Sequence, residues 1–182
     1  MSEDRRYPDE PAGPFAAPPL TFEDGEGREV AVHRFGERLG DADAERAALA
    51  EMYGTFDPAD RAQGIPPVGE AAIEGWLDRL LVADAVNVLA WHDDDIAGHA
   101  TLVPDPDGAY ELAIFVHQDY QGAGIGTRLI RALLGAGAAA GVERVWLTVE
   151  RWNRPAVKLY EGVGFETTST ASFDLEMTLR LD

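Results

Sequence analysis

The sequence contains no cysteine, which excludes disulfide bonds, thiolate nucleophiles and cysteine-ligated metals. Serine is scarce as well: only Ser2, Ser169 and Ser172 occur, and none lies in a G-x-S-x-G motif. The 4 histidines show no spacing typical of a metal site, such as H-x-x-x-H. We therefore expect no bound metal and no nucleophilic serine or cysteine.

Positive charge is also in short supply. Lysine occurs once, at Lys158. The chain contains 15 basic and 33 acidic residues, so the formal net charge is −18 and the pI is near 4.4. A chain this acidic lacks the basic surface that nucleic-acid binding requires, so we expect no nucleic-acid partner. The composition resembles that of salt-adapted proteins, and we expect the source organism to be a halophilic archaeon. A GC-rich genome would explain the arginines but explains the acid excess less well.

Long apolar runs are missing. No segment approaches the roughly 18 apolar residues that a membrane helix needs, and the charged start of the chain lacks the apolar region of a signal peptide. We therefore expect a cytoplasmic protein without membrane contact. The 182 residues suit one domain, placed at 20–182. Prolines among Asp, Glu, Gly and Ala indicate that residues 1–19 form a disordered or loosely attached tail.

Hydrophobic periodicity predicts a mixture of helices and strands. Apolar residues recur at helical spacing over 69–83, and Asp41 or Asp43 suits the start of a helix that reaches about residue 53. Strands are predicted, with turn residues between them, at 20–22, 29–35, 86–92, 96–103, 109–117, 143–150 and 173–181. Because a helix-like segment, 125–140, separates 109–117 from 143–150, we expect these two strands to be parallel.

A glycine-rich turn, Gln-Gly-Ala-Gly-Ile-Gly-Thr at 121–127, connects the apolar strand to the helix-like segment. Backbone N–H groups at the start of a helix have no intrahelical partners, and the helix dipole makes them attractive to a phosphate. A dinucleotide motif is excluded because Leu129 occupies the place of its third glycine, and a P-loop is excluded because no lysine follows Gly126. The turn therefore predicts a different kind of anion site.

A second motif follows the next strand. Asn153, Ala156, Tyr160, Gly164 and Phe165 have the spacing Asn-x-x-Ala-x-x-x-Tyr-x-x-x-Gly-Phe, and the intervening apolar positions suit a helix for which Asn153 is a suitable N-cap. Together the two motifs resemble those of the GNAT superfamily of N-acetyltransferases. The resemblance is strong over 86–166 and weaker from 31 to 85 and over 167–181.

The resemblance implies a fold, a cofactor and a set of contacts. The fold class is α/β (α+β): a mixed central sheet of about six to seven strands, helices on both faces, and two parallel strands that splay apart. The implied cosubstrate is acetyl-CoA, whose pantetheine amides would pair with the main chain of the first parallel strand. The residues assigned to it are Ile114, Phe115, Val116, Gln121, Gly122, Ala123, Gly124, Ile125, Gly126, Thr127, Asn153 and Ala156.

The resemblance also suggests catalytic residues for a direct transfer in a ternary complex. The amine acceptor must lose a proton, and the departing CoA thiolate must gain one. Tyr160 is the candidate acid. Thr148 stands where some family members carry a glutamate base, so Glu111, on the preceding strand, is the better candidate and Glu150 the reserve. A carboxylate in an apolar strand has a raised pKa unless a neighbouring arginine pairs with it, and the sequence leaves both alternatives open.

Two other functions fit the same motifs. The missing glutamate at 148 is consistent with a noncatalytic sensor that binds acyl-CoA, and a structural or partner-binding domain is a third alternative. The acceptor could be a small amine, a polyamine, an amino acid, or an amine of a protein. Homodimers are common among similar proteins and a homodimer is compatible with this sequence, which leaves the oligomeric state open.

Overall fold

The computed structural model describes residues 5–61, 64–169 and 173–181. Within them the chain forms eight strands and four α-helices. The strands are β1 (Leu20–Glu23), β2 (Glu29–Arg34), β3 (Val86–His92), β4 (Asp95–Pro104), β5 (Tyr110–Val116), β6 (Arg144–Glu150), β7 (Glu166–Ser169) and β8 (Asp174–Arg180). The helices are α1 (Ala42–Gly54), α2 (Glu70–Leu80), α3 (Ile125–Ala139) and α4 (Arg154–Val163), with short 3₁₀ turns at Pro58–Asp60 and Gln118–Tyr120.

All eight strands belong to one sheet with the order β1-β2-β3-β4-β5-β6-β8-β7. Seven of these strands match those predicted from the sequence, and the eighth is the short edge strand β7, which pairs with β8. Every neighbouring pair is antiparallel except β5 and β6. The parallel pairing between these two covers only Tyr110 with Val145 and Glu111 with Trp146. Beyond Glu111 the strands separate and leave an open wedge in the sheet.

Helices cover both faces of the sheet. On one face α3 and α4 pack against apolar side chains such as Val88, Leu112 and Leu147. On the other face α1 and α2 pack against Leu89 and Trp91. Side chains alternate along β6: residues 145, 147 and 149 are buried in the first of these two cores, and 146, 148 and 150 face the other side.

Two helix starts show what the sequence predicts and what it misses. Asp41 caps α1 through hydrogen bonds from the backbone N–H groups of Asp43 and Ala44, as expected. Asn153 precedes α4 but makes no capping bond with its side chain, which differs from the expectation. Pro155 occupies the first turn of α4 and has no N–H group to satisfy, so this helix start requires less capping.

The proline-rich N-terminal segment, described here from residue 5 to 19, lies against the domain. Thr178 donates a hydrogen bond to the carbonyl of Arg6 at 2.8 Å, and the N–H of Ala12 donates to the carbonyl of Arg180 at 2.8 Å. Farther along, the segment crosses α3 so closely that a Cβ on Gly135 would overlap the backbone of Ala16. These contacts differ from the loose attachment that the composition indicates; residues 1–4 of the predicted tail lie outside the described residues.

The described residues include no helix that is both long and apolar enough to cross a membrane.

Candidate active site

The wedge between β5 and β6 forms an open cavity of about 280 Å³. Its lining comes from both parallel strands, α3, α4 and the segment between α1 and α2: Asp60, Ile65, Glu111, Leu112, Ala113, Ile114, Phe115, Val116, Gly126, Thr148, Val149, Glu150, Asn153, Ala156, Leu159 and Tyr160. The apolar sequence of strand β5 is typical of a fully buried strand. It is partly exposed instead, because β6 leaves its side after Glu111.

The glycine-rich turn leads directly into α3. Gly122 and Gly124 have φ values of 75° and 81°, a region that only glycine adopts without strain, and a Cβ on either would meet no atom within 4 Å. The helix start has no side-chain cap and no acidic residue in its first turn. Its N–H groups and the positive end of the helix dipole are therefore suited to an anion such as the pyrophosphate of acetyl-CoA.

Three hydrogen bonds hold this turn and the 3₁₀ turn before it in place. The N–H of Gly25, between β1 and β2, donates to the carbonyl of Ala123 at 2.9 Å. Arg28 donates to the carbonyl of Asp119 at 3.2 Å, and Gln121 donates through Nε2 to the carbonyl of Val116 at 3.0 Å. The contribution of the β1–β2 turn was missed at the sequence level, because nothing in its local pattern indicates a partner about a hundred residues away.

The predicted cofactor residues differ in how accessible their side chains are to a ligand. Ala123 and Ile125 are only 6% and 1% exposed, so a ligand can reach them only through their main chain. A Cβ on Gly126 would lie 3.2 Å from Cδ1 of Leu159, which shows that this glycine allows α3 and α4 to pack closely. Gln121, Gly122, Gly124 and Thr127 are exposed at the surface of the turn.

On β5 the cavity is bordered by Ile114, Phe115 and Val116. Their main chain pairs with β4 on one side, but the other side has no β6 partner because that pairing ends at Glu111. The free side of the strand can therefore accept an extended amide chain as an added strand. The ring of Phe115 itself packs edge-on against Trp76 and Tyr53, with centroid distances of 5.2 and 5.8 Å.

Helix α4 presents Asn153, Ala156 and Tyr160 to the same cavity. The spacing of three and four residues places them on one helical face, as the motif predicts. The ring of Tyr160 packs edge-on against Phe165 at 5.8 Å. Burial raises the pKa of the Tyr160 hydroxyl to about 12, so this group is protonated at neutral pH and available as a proton donor.

Across the cavity, Glu111 occupies the last paired position of β5. Desolvation raises the pKa of its carboxyl group; attraction from Arg5 opposes this shift and repulsion from Asp105 adds to it. Within the described part of the chain no cation lies within ion-pair distance of Glu111. Of the two alternatives left open by the sequence, the direct arginine pair is absent among the described residues, and desolvation is the main influence on the pKa of Glu111. Thr148 and Glu150 of β6 line the same cavity.

The segment between α1 and α2 is attached to the cofactor side of the cavity. Gln121 donates through Nε2 to Oδ2 of Asp60 at 3.0 Å, and Gln118 donates to the carbonyl of Thr55 at 2.6 Å while accepting from the N–H of Asp57 at 2.9 Å. Asp60 and Ile65 were not identified as site residues, because they lie in an irregular segment without a motif.

A network of buried hydrogen bonds lies between α1 and the sheet. The Tyr53 hydroxyl lies 2.7 Å from Nδ1 of His99, and Nε2 of His99 lies 2.7 Å from Oδ1 of Asn87. Burial lowers the pKa of His99 to about 3, so the imidazole is neutral and can donate one bond and accept the other. The network joins α1 to the β3–β4 pair.

Among the described residues, no cluster of three or more His, Cys, Asp or Glu side chains could hold a metal ion.

The mixed sheet, the splayed parallel pair and the glycine turn at the start of α3 define the GNAT fold. Residues 48–165 match the model of the acetyltransferase (GNAT) family. This match covers more than half of the chain, and the protein therefore belongs to the acetyltransferase (GNAT) family.

Two curated relatives show the range of similarity. An uncharacterised N-acetyltransferase of Mycobacterium bovis is 34% identical over 87 residues, which are 47% of this chain and 56% of that protein. The L-amino acid N-acyltransferase MnaT of Escherichia coli is 26% identical over 146 residues, which are 69% of this chain and 77% of that protein. The matched region thus spans about half the length of the mycobacterial relative.

Solved structures share the fold at low identity. The GNAT domain of S. lividans PAT superposes with a TM-score of 0.73 at 15% identity and covers 89% of this chain and 96% of that one. The protein yncA of Salmonella typhimurium, solved with its cofactor acetyl-CoA, gives a TM-score of 0.65 at 18% identity and covers 84% of this chain and 94% of that one. At these identities the likeness concerns the fold alone.

Proposed function

We propose that this protein transfers the acetyl group of acetyl-CoA to a primary amine in a ternary complex. The observation that carries the proposal is one cavity that contains a proton acceptor and a proton donor, Glu111 and Tyr160, beside an uncapped helix start preceded by glycines. Family membership supports the same activity.

In the proposed reaction acetyl-CoA supplies the thioester. Glu111 accepts a proton from the ammonium group of the acceptor, directly or through water, and so generates the nucleophilic amine. A C–N bond forms at the acetyl carbon while the C–S bond breaks, and the nitrogen then releases its second proton to solvent, which leaves a neutral amide. Tyr160, whose hydroxyl is protonated at neutral pH, donates its proton to the departing sulfur. No covalent bond to the enzyme is required.

The cosubstrate site is tested by Gly124→Glu. This change puts bulk and negative charge at the start of α3, where the phosphates are proposed to bind, so calorimetry should detect no acetyl-CoA binding to a variant with an unchanged circular dichroism spectrum. Gly141→Glu is the matched control, since Gly141 also has a positive φ and open space and follows the other end of α3. Equal affinity of both variants and the parent would contradict the proposal.

The sensor alternative has one supporting observation, Thr148 at the position where some family members carry a glutamate. Release of CoA thiol in the presence of an amine panel distinguishes the two functions. A catalyst releases thiol in proportion to acetylated amine, whereas a sensor binds acetyl-CoA and releases none.

Some finer expectations belong with this proposal. We propose that the protein is cytoplasmic and comes from a halophilic archaeon. We also propose that its partners are the cosubstrate and the amine acceptor rather than nucleic acid or a membrane. The supporting observation is the net charge of −18, which disfavours both polyanionic partners and acidic membrane surfaces.

A further inference from the structure

Trp146 lies beside Glu111, because the two residues are register partners at the last paired position of β5 and β6. Register partners of neighbouring strands point to the same face of the sheet, and the strands are about 4.8 Å apart. The indole Nε1 of Trp146 donates a hydrogen bond to Oδ2 of Asp105, in the turn between β4 and β5, at 2.9 Å. The indole ring is therefore fixed next to the candidate base.

Arg5, in the docked N-terminal segment, covers this ring. Its guanidinium carbon lies 3.8 Å from the centroid of the Trp146 ring. Nε and Nη2 of Arg5 form a bidentate pair with the carboxylate of Glu176 on β8, at 3.1 and 3.2 Å, and Nη1 lies 3.8 Å from Oδ2 of Asp105. The Arg5 side chain is only 10% exposed. Its position is thus defined on several sides, and solvent screens its charge less than that of a surface arginine.

Among the groups that influence the ionisation of Glu111, the described residues include one cation. Desolvation raises the pKa of the Glu111 carboxyl group, attraction from Arg5 lowers it, and a smaller repulsion from Asp105 raises it. The other titratable groups that line the cavity or pair with Arg5 carry no positive charge: Asp60, Glu150, Tyr160 and Glu176.

A second cation, Arg144, lies two residues before Trp146 on β6. Its guanidinium lies over the ring of Tyr7, 5.4 Å from the centroid, and donates a hydrogen bond to the carbonyl of Asp107 at 2.9 Å. Arg144 is therefore held by other groups, and it is not among the influences on the pKa of Glu111.

Resting on the proposed function, we propose that Arg5 is a positioning residue for the transfer reaction: held on Trp146, it extends to lower pH the range in which Glu111 is ionised and can accept the amine proton. A desolvated carboxylate tends to take up a proton, and a nearby cation opposes this. Removal of Arg5 would also leave the charges of Asp105 and Glu176 without their shared partner. The docked N-terminal segment is then part of the active site, although none of its described residues lines the cavity.

Titration of the Glu111 carboxyl group tests this inference without acetyl-CoA or turnover. Carbon-13 NMR of the 182-residue chain gives the midpoint, and the signal is identified by its absence from Glu111→Gln. Arg5→Gln should raise the midpoint by about half a pH unit. Arg6→Gln, the same change at the exposed neighbouring residue, is the charge-matched control and should leave it unchanged.

Arg5→Lys separates the charge from the docking of the segment. Lysine keeps the positive charge but cannot form the bidentate pair or the planar stack, so the midpoint should return most of the way to the parent value. The inference is wrong if Arg5→Gln leaves the midpoint unchanged, if Arg6→Gln raises it equally, or if Arg5→Lys has the same midpoint as Arg5→Gln.

The pH profile of acetyl transfer then connects this effect to the proposed function. The acidic limb of kcat/KM should move to higher pH in Arg5→Gln, in step with the NMR midpoint. An unchanged midpoint in an active enzyme would overturn the inference alone. A midpoint that moves while the limb stays in place would show that Glu111 is not the base, which contradicts the proposed function and with it the role of Arg5 in the reaction.

Discussion

The hydroxyl of Tyr160 is the smallest feature on which the proposed chemistry depends. Tyr160→Phe keeps the ring packed against Phe165 and removes only the proton donor. If Tyr160 is the general acid, turnover should fall by a factor of order 10² while the melting temperature and acetyl-CoA affinity stay close to the parent values.

Tyr110→Phe provides the control for this experiment, because Tyr110 lies on β5 outside the cavity lining and loses the same atom. Steady-state kinetics of both variants gives the comparison. A Tyr160→Phe rate within a few-fold of the parent would show that the tyrosine contributes packing rather than a proton.

Glu111 should control the acidic limb of the pH profile. A base acts when deprotonated, so the rate rises as pH passes upward through its pKa, and desolvation places that pKa above the ordinary value for a glutamate. Glu111→Gln should lower the rate and abolish this limb, as measured by kcat/KM against pH. Glu166→Gln, exposed on β7, should retain the parent profile. If the limb persists in Glu111→Gln, Glu150 or water is the base.

At the scale of elements, the contact between the N-terminal segment and α3 has a measurable consequence. A helical glycine replaced by alanine normally gains about 1 kcal/mol of stability. At Gly135 the new methyl group would overlap the backbone of Ala16, so Gly135→Ala should instead lower the free energy of unfolding or release the segment to proteases.

The matched control is Gly75→Ala in α2, where a Cβ meets no atom within 4 Å and the site is exposed. That variant should be more stable than the parent in urea unfolding. Equal stabilisation by both changes, with unchanged protease sensitivity near the N-terminus, would show that the segment does not pack on α3 in solution.

Across the whole molecule, the net charge of −18 opposes both compaction and the approach of an anionic cofactor. Raising the ionic strength from about 0.1 M to about 1 M shortens the Debye length from about 10 Å to about 3 Å, which removes distant repulsion and spares close contacts. We expect the melting temperature and the acetyl-CoA affinity to rise together over this range of potassium chloride. A decrease in both would favour a GC-rich genome as the cause of the composition.

The amino-acid sequence by itself determined the features that depend on neighbouring residues. Apolar periodicity located α2, β3, β4 and β6 to within a few residues, and each of the two motifs contributes a residue, Gly126 and Tyr160, to the lining of one cavity. Local patterns suffice for this because main-chain conformation, helix starts and the face of a helix or strand are set within one or two turns of chain.

Only the tertiary structure decided which groups share the cavity and how exposed they are. The early end of the β5–β6 pairing exposes Glu111 and opens the cavity, while long-range contacts bring in Asp60, Arg5 and Gly25. The docking of the N-terminal segment was likewise invisible in its composition. In each case the partners lie far apart in sequence, and the packing of the completed sheet, rather than any local preference, brings them together.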